Sequence, residues 1–157
     1  MPVIASIQYT QDQMRTLTGV SAETVRHWRK TVPYLASKTG KAARFSFSDL
    51  LGLAVTSEMV GSLGVHICSV SASVDALFNL LSTEGTAALD GTVVLITSTT
   101  VTLYPSGSQY VNSLTLPTLA IPLDPLVARL QQHILPARPA SAQAMLPFPL
   151  EAVWSKA

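Results

Sequence analysis

The sequence predicts an α+β fold: helices at the N-terminus, then a further helix, then a small sheet-and-helix unit. Three observations carry this reading. Residues 10–49 contain three helix-start signatures in succession. Residues 67–81 carry an apolar stripe at helical spacing. After Gly91 the composition turns to Thr, Val, Ile and Leu in short runs separated by turn residues, which favours strands. The expected divisions are residues 8–82, 90–135 and a Pro-rich apolar tail, 136–157.

Thr10-Gln11-Asp12-Gln13 fits a capping box, in which the Thr hydroxyl and the Gln side chain each satisfy an otherwise unpaired backbone N–H. Tyr9 and Met14 sit where a hydrophobic staple would hold the helix start, and Gly19 ends that helix. Ser21 is the next N-cap, flanked by Val20 and Val25, opening a helix through about Lys30 before Pro33. Ser46-Phe47-Ser48-Asp49 repeats the capping-box pattern and starts a helix to about Ser62. Between them, Lys38, Lys41 and Arg44 surround Gly40, and the segment 33–45 reads as a β-hairpin wing.

Ile67, Val70, Val74, Leu77, Phe78 and Leu81 form a continuous stripe on the next helix, with Cys68 expected beside it in the core. Residues 92–97, 101–104, 109–112 and 118–121 read as four strands, with Pro105-Ser106-Gly107-Ser108 as a turn between the second and third. Asp124 with Pro125 opens a final helix, whose apolar face is Leu126, Val127, Leu130 and Ile134. The tail beyond Pro136 carries Met145, Leu146, Phe148, Leu150, Val153 and Trp154. It is expected to cover a sheet edge or a partner subunit, or to dock on another protein.

Of the 157 residues, 48% are hydrophobic and 12% charged, a balance that excludes intrinsic disorder. The apolar region 50–81 is interrupted by Glu58, His66 and Asp75, so no membrane span is expected. The N-terminus lacks the basic flank and apolar run of a secretory signal, and a single cysteine excludes an intrachain disulfide framework. A cytoplasmic, nucleoid-associated protein is the expectation.

The net charge of +1 conceals an asymmetry. Residues 1–50 hold seven Lys and Arg against three Asp and Glu, whereas residues 51–157 hold three against six. A basic head on an apolar, faintly acidic body points to an anionic polymer as the head's partner, while the body is expected to pack on itself or on a partner, with residues 90–135 as a small dimerisation or ligand-sensing unit.

The first two helices are separated by a short turn containing Gly19, which is the helix-turn-helix arrangement. With Val25 and Trp28 facing inward, the second helix offers Thr24, Arg26, His27, Arg29 and Lys30 to a major groove, with Ser21 at its N-terminus for a phosphate. Gly19-Val20-Ser21, Thr24-Val25-Arg26-His27-Trp28, residues 40–46, Asp49-Leu50, Leu53 and Leu63-Gly64-Val65 together resemble the MerR-type winged helix-turn-helix over residues 8 to about 70. The resemblance implies that Thr24, Arg26, His27 and Arg29 approach DNA and that Arg44 holds phosphate. Arg15 and residues 28–33 depart from the family pattern and also resemble the related excisionase-like DNA-binding domains. The chain beyond residue 82 does not resemble a metal-sensing region, so no metal sensing is implied.

The remaining chemistry is sparse. His27, His66 and His133 are far apart in sequence, and His66 with Cys68 is too little for a metal site. Gly40-Lys41 is not a phosphate-binding P-loop, and residues 61–64 miss the nucleophile-elbow spacing. No catalytic residue, metal or cofactor is expected. The function expected is sequence-specific binding of double-stranded DNA by a homodimeric transcription regulator, through Ser21, Thr24, Arg26, His27, Arg29, Lys30, Lys38, Lys41 and Arg44. The alternatives are an accessory DNA-bending factor of a phage or integrative element, and a winged-helix adaptor that binds protein.

Overall fold

The computed structural model describes residues 7–85 and 89–134. The expected apolar tail, 136–157, lies outside them. The elements are α1 (Gln11–Thr18), α2 (Ala22–Arg29), α3 (Pro33–Ala36), α4 (Phe47–Ser57), α5 (Ser71–Thr83), β1 (Thr92–Ile96), β2 (Val101–Pro105), β3 (Leu119–Pro122) and α6 (Asp124–Ile134). The protein is thus mixed helix and strand.

Local chemistry sets the helix ends. Thr10 and Gln13 exchange the two bonds of a capping box on α1, at 3.2 Å and 2.9 Å. Ser46 and Asp49 do the same for α4, at 3.2 Å and 2.9 Å. Ser21 caps α2 by accepting the Thr24 N–H at 3.1 Å. Gly19 terminates α1 at φ 76°, a left-handed conformation that a side chain would strain. Residues 19–21 are all that separate α1 from α2, and Val20 at that turn is buried.

Most of the buried hydrophobic residues form one cluster running from Tyr9 to Leu130. α4 lies at its centre, packed against α1, α5 and α6. Every residue of the stripe 67–81 named above is buried, although Ile67 and Val70 lie ahead of α5 rather than on it. Gly52 marks a close approach of α4 to α5, since a Cβ there would lie 2.5 Å from Phe78 Cε1. After Ser57 the helix widens into a π-turn over Glu58–Ser62.

The sheet is three-stranded and antiparallel in the order β2-β1-β3, with Val94 opposite both Leu103 and Ile121. α6 then returns across α1 and α4. Its Arg129 pairs with Glu58 at 3.0 Å, and that guanidinium holds the Glu58 carboxyl below its usual range. A depressed folded-state pKa gives stability that is present above the ordinary carboxylate pKa and lost as pH falls through the depressed value. Thermal melts of the native chain and of Arg129→Met should therefore differ at neutral pH and converge as the solution is acidified.

Three expectations are corrected. The segment 33–45 is no β-hairpin: Pro33 starts the short helix α3, as its fixed φ and missing N–H allow at a first helical position. Beyond Gly40 (φ 86°), the loop carbonyls are bonded by side chains rather than by a facing strand. The pairing that does form is one antiparallel bridge between Tyr9 and Phe45, with bonds of 2.7 Å and 2.8 Å. Residues 109–112 form no strand either, because Tyr110–Ser113 is a 3₁₀ turn. There Asn112 bonds back to Gln109 through its backbone N–H at 3.4 Å and its side chain at 3.3 Å, a local alternative to a ladder. Finally, Cys68 is exposed, because residues 67–69 form a 3₁₀ turn that buries Ile67 in place of its neighbour. No described helix is long and apolar enough to cross a membrane.

Candidate nucleic-acid interface

The basic residues of the head divide into two groups. Arg26, His27 and Lys30 are exposed on α2 and its C-terminal cap, and Lys41 and Arg44 are exposed on the loop that follows α3. Arg15, Arg29 and Lys38 are half-buried and engaged within the chain.

Arg29 stands on the inner side of α2, one position from exposed Lys30. Its Nη2 donates to Gln11 Oε1 at 2.6 Å and to the Lys38 carbonyl at 2.7 Å. Burial and the neighbouring Arg26 charge both lower the Arg29 pKa, yet a guanidinium stays protonated at any ordinary pH. This one side chain ties together the start of α1, the end of α2 and the basic loop. Gln11 is a partner that the sequence reading did not single out.

Lys38 acts as the second tether. Its Nζ donates to the Arg44 carbonyl at 2.9 Å, pairs with Asp49 at 3.2 Å, and lies 5.7 Å and 5.8 Å from the ring centres of Tyr34 and Phe45. Asp49 is buried and also accepts the Tyr34 hydroxyl at 2.6 Å. Burial first, and then the Asp49 hydrogen bond and charge, push the Tyr34 phenol well above its ordinary pKa. Tyr34 also stacks on Phe78, with ring centroids 5.0 Å apart, and gives its backbone N–H to Asp75 at 2.7 Å. The loop carrying Lys41 and Arg44 is therefore anchored at its base to α4 and α5. Arg44 Nη1 closes it by donating to the carbonyls of Lys41, at 3.1 Å, and Ala43, at 3.0 Å.

At the other end of α2, Ser21 Oγ donates to Thr24 Oγ1 at 2.9 Å while capping the helix. Both hydroxyls lie at the exposed N-terminal end, where backbone N–H groups and the helix dipole favour an anion. Val25 and Trp28 are buried as the spacing predicts, so the opposite side of α2 is the one presented outward. Asp12 and Glu23 are the exposed acidic residues of this half, and Asp12 is paired with Arg15 at 3.0 Å. The outer side of α2 and the loop thus form a surface of predominantly positive charge.

The three histidines lie in two separate places. His27 and His66 line one cavity of about 330 Å³ with Trp28, Val65 and Cys68. Even so, among the described residues no group of three His, Cys, Asp or Glu side chains is placed to hold a metal ion. His133 lies elsewhere, its Nδ1 3.0 Å from the Arg129 carbonyl.

Comparison with protein-family models, curated proteins and solved structures gives no match for this chain. The geometry of the basic surface therefore has to carry the functional reading.

Proposed function

We propose that the chain binds double-stranded DNA through α2 and the basic loop, and acts as a homodimeric transcription regulator. In this reading α1 and α2 are a helix-turn-helix, α2 enters the major groove, and the loop 37–45 takes the place of a wing. The observation that carries it is the division of the cations: Arg26, Lys30, Lys41 and Arg44 are exposed on one helix and one loop, and Arg29 joins that helix to that loop. Side chains that merely kept a protein soluble would need no such fixed mutual placement.

The expected roles follow from position. Arg26 and His27 face outward from the middle of α2, where side chains reach base edges. Ser21, Thr24 and Lys30 flank them for the backbone, and Lys41 and Arg44 contact phosphate across the groove. Arg29 and Lys38 act as positioning residues in this scheme rather than as direct contacts.

Binding of the purified chain to a genomic DNA library, with selected fragments sequenced, tests the reading. Neutralising three phosphates per chain, through Lys30, Lys41 and Arg44, gives a slope of roughly −2.7 in log K against log salt. Arg26→Ala should weaken the selected site roughly tenfold and leave random DNA less affected, as expected of a base contact. Lys41→Ala should weaken both alike and reduce the slope by about 0.9. Absence of DNA affinity at low salt would overturn the proposal.

A further inference from the structure

We propose that the outer edge of β2, which no strand among the described residues covers, pairs with the β2 edge of a second copy of this chain, antiparallel about a two-fold axis at Thr102. The register of the sheet shows which backbone groups are available. Ser106 N–H bonds to Gly91 O at 2.7 Å and Thr97 N–H to Thr100 O at 2.9 Å. With the ladder Val93↔Tyr104 and Leu95↔Thr102 between them, the alternation of an antiparallel pair directs the peptide groups of Thr102 and Tyr104 toward β1. Those of Val101 and Leu103 therefore point away from the sheet.

The two edges of the sheet differ. On β3, Leu123 N–H bonds to Thr92 O at 3.0 Å, so the outward positions are Ala120 and Pro122, and the second has no N–H to give. Edge strands are ordinarily guarded by such prolines or by charged side chains. β2 has neither at Val101 and Leu103, and its proline comes only at the last residue of the strand. Alongside it runs a groove of about 570 Å³, lined by Leu80, Glu84, Thr92 and residues 101–105.

The charge pattern selects a second copy as the occupant. Residues 91–123 contain no Asp, Glu, Lys, Arg or His. In an isologous contact each residue near the axis meets its own counterpart, so any charge there would be repelled by itself. An uninterrupted neutral stretch of sheet avoids that self-repulsion. With Thr102 facing its counterpart, Val101 pairs with Leu103 of the other copy, and the reverse. All four outward N–H groups then find carbonyls, giving a continuous six-stranded sheet. Thr102 is exposed, on the opposite face of the sheet from Val101 and Leu103, which pack toward the core.

This inference deepens the homodimer part of the function proposed above and is independent of its DNA part. Sedimentation of the native chain without DNA should show a species of twice the 16.7 kDa chain mass. Thr102→Lys and Thr102→Glu each place like charges face to face across the axis and should weaken the dimer roughly tenfold or more. An equimolar mixture of the two should restore dimer, which mere loss of folding in either variant would not do. A monomeric native chain would overturn both the edge pairing and the dimer. A native dimer unchanged by either substitution would overturn the edge pairing and leave the dimer standing. Neither outcome bears on DNA affinity, which the salt titration reads separately.

Discussion

Asp49→Ala is expected to destabilise the protein by about 3–5 kcal/mol, the range for removing one member of a buried charge pair. Three groups lose a partner at once. The Ser46 N–H loses the carboxylate half of its capping box, the Tyr34 hydroxyl loses its acceptor, and Lys38 loses its counter-ion. The base of the basic loop loosens as a consequence, because the Lys38 Nζ that also holds the Arg44 carbonyl is no longer drawn inward. Chemical denaturation would measure the stability loss. A structural role confined to capping would cost only about 1 kcal/mol, so Ser46→Ala provides the comparison. The double substitution Asp49→Ala with Lys38→Met should recover part of the loss, since it leaves no unpaired cation at this site.

Gly52→Ala is expected to cost about 2–3 kcal/mol, although alanine ordinarily favours a helix over glycine. The added methyl would lie 2.5 Å and 2.7 Å from two carbons of the Phe78 ring. That ring is almost fully buried and stacked on Tyr34, so it cannot swing aside without breaking the stack. Gly52→Ala in a Phe78→Leu background should be far less damaging than in the native chain. Equal costs in the two backgrounds would show that the contact is not the cause. Far-ultraviolet circular dichroism during thermal unfolding reads both variants.

Much of the helical half was legible in the sequence because its information is local. The capping boxes at Thr10 and Ser46, the cap at Ser21 and the glycine at position 19 each act within four residues, and all are found as expected. The stripe from Ile67 to Leu81 was equally plain, since burial at helical spacing needs no knowledge of the partner. What sequence could not show was decided over long separations. Arg29 and Lys38 look like their exposed neighbours in composition, and only the proximity of Gln11 and Asp49 draws them inward. The hairpin expected at 33–45 failed because Gly40 and its cations are compatible with a turn of either kind, and no facing strand was supplied. Asp49 was readable as a cap but not as the acceptor for Tyr34, 15 residues away. Gly52 gave no sign of its role, because its partner lies on another helix.

The return of α6 across α1 and α4 also constrains the order of folding. Met14, Leu50 and Leu130 belong to one buried cluster, although more than a hundred residues separate the first from the last. During synthesis the N-terminal half emerges first, yet its apolar surface stays uncovered until the end of α6 has left the ribosome. Such non-local closure slows folding and prolongs exposure of sticky surface. A chain released before residue 134 would therefore carry its cationic head intact in sequence but without the element that closes its core, making it a natural target for chaperones and proteases.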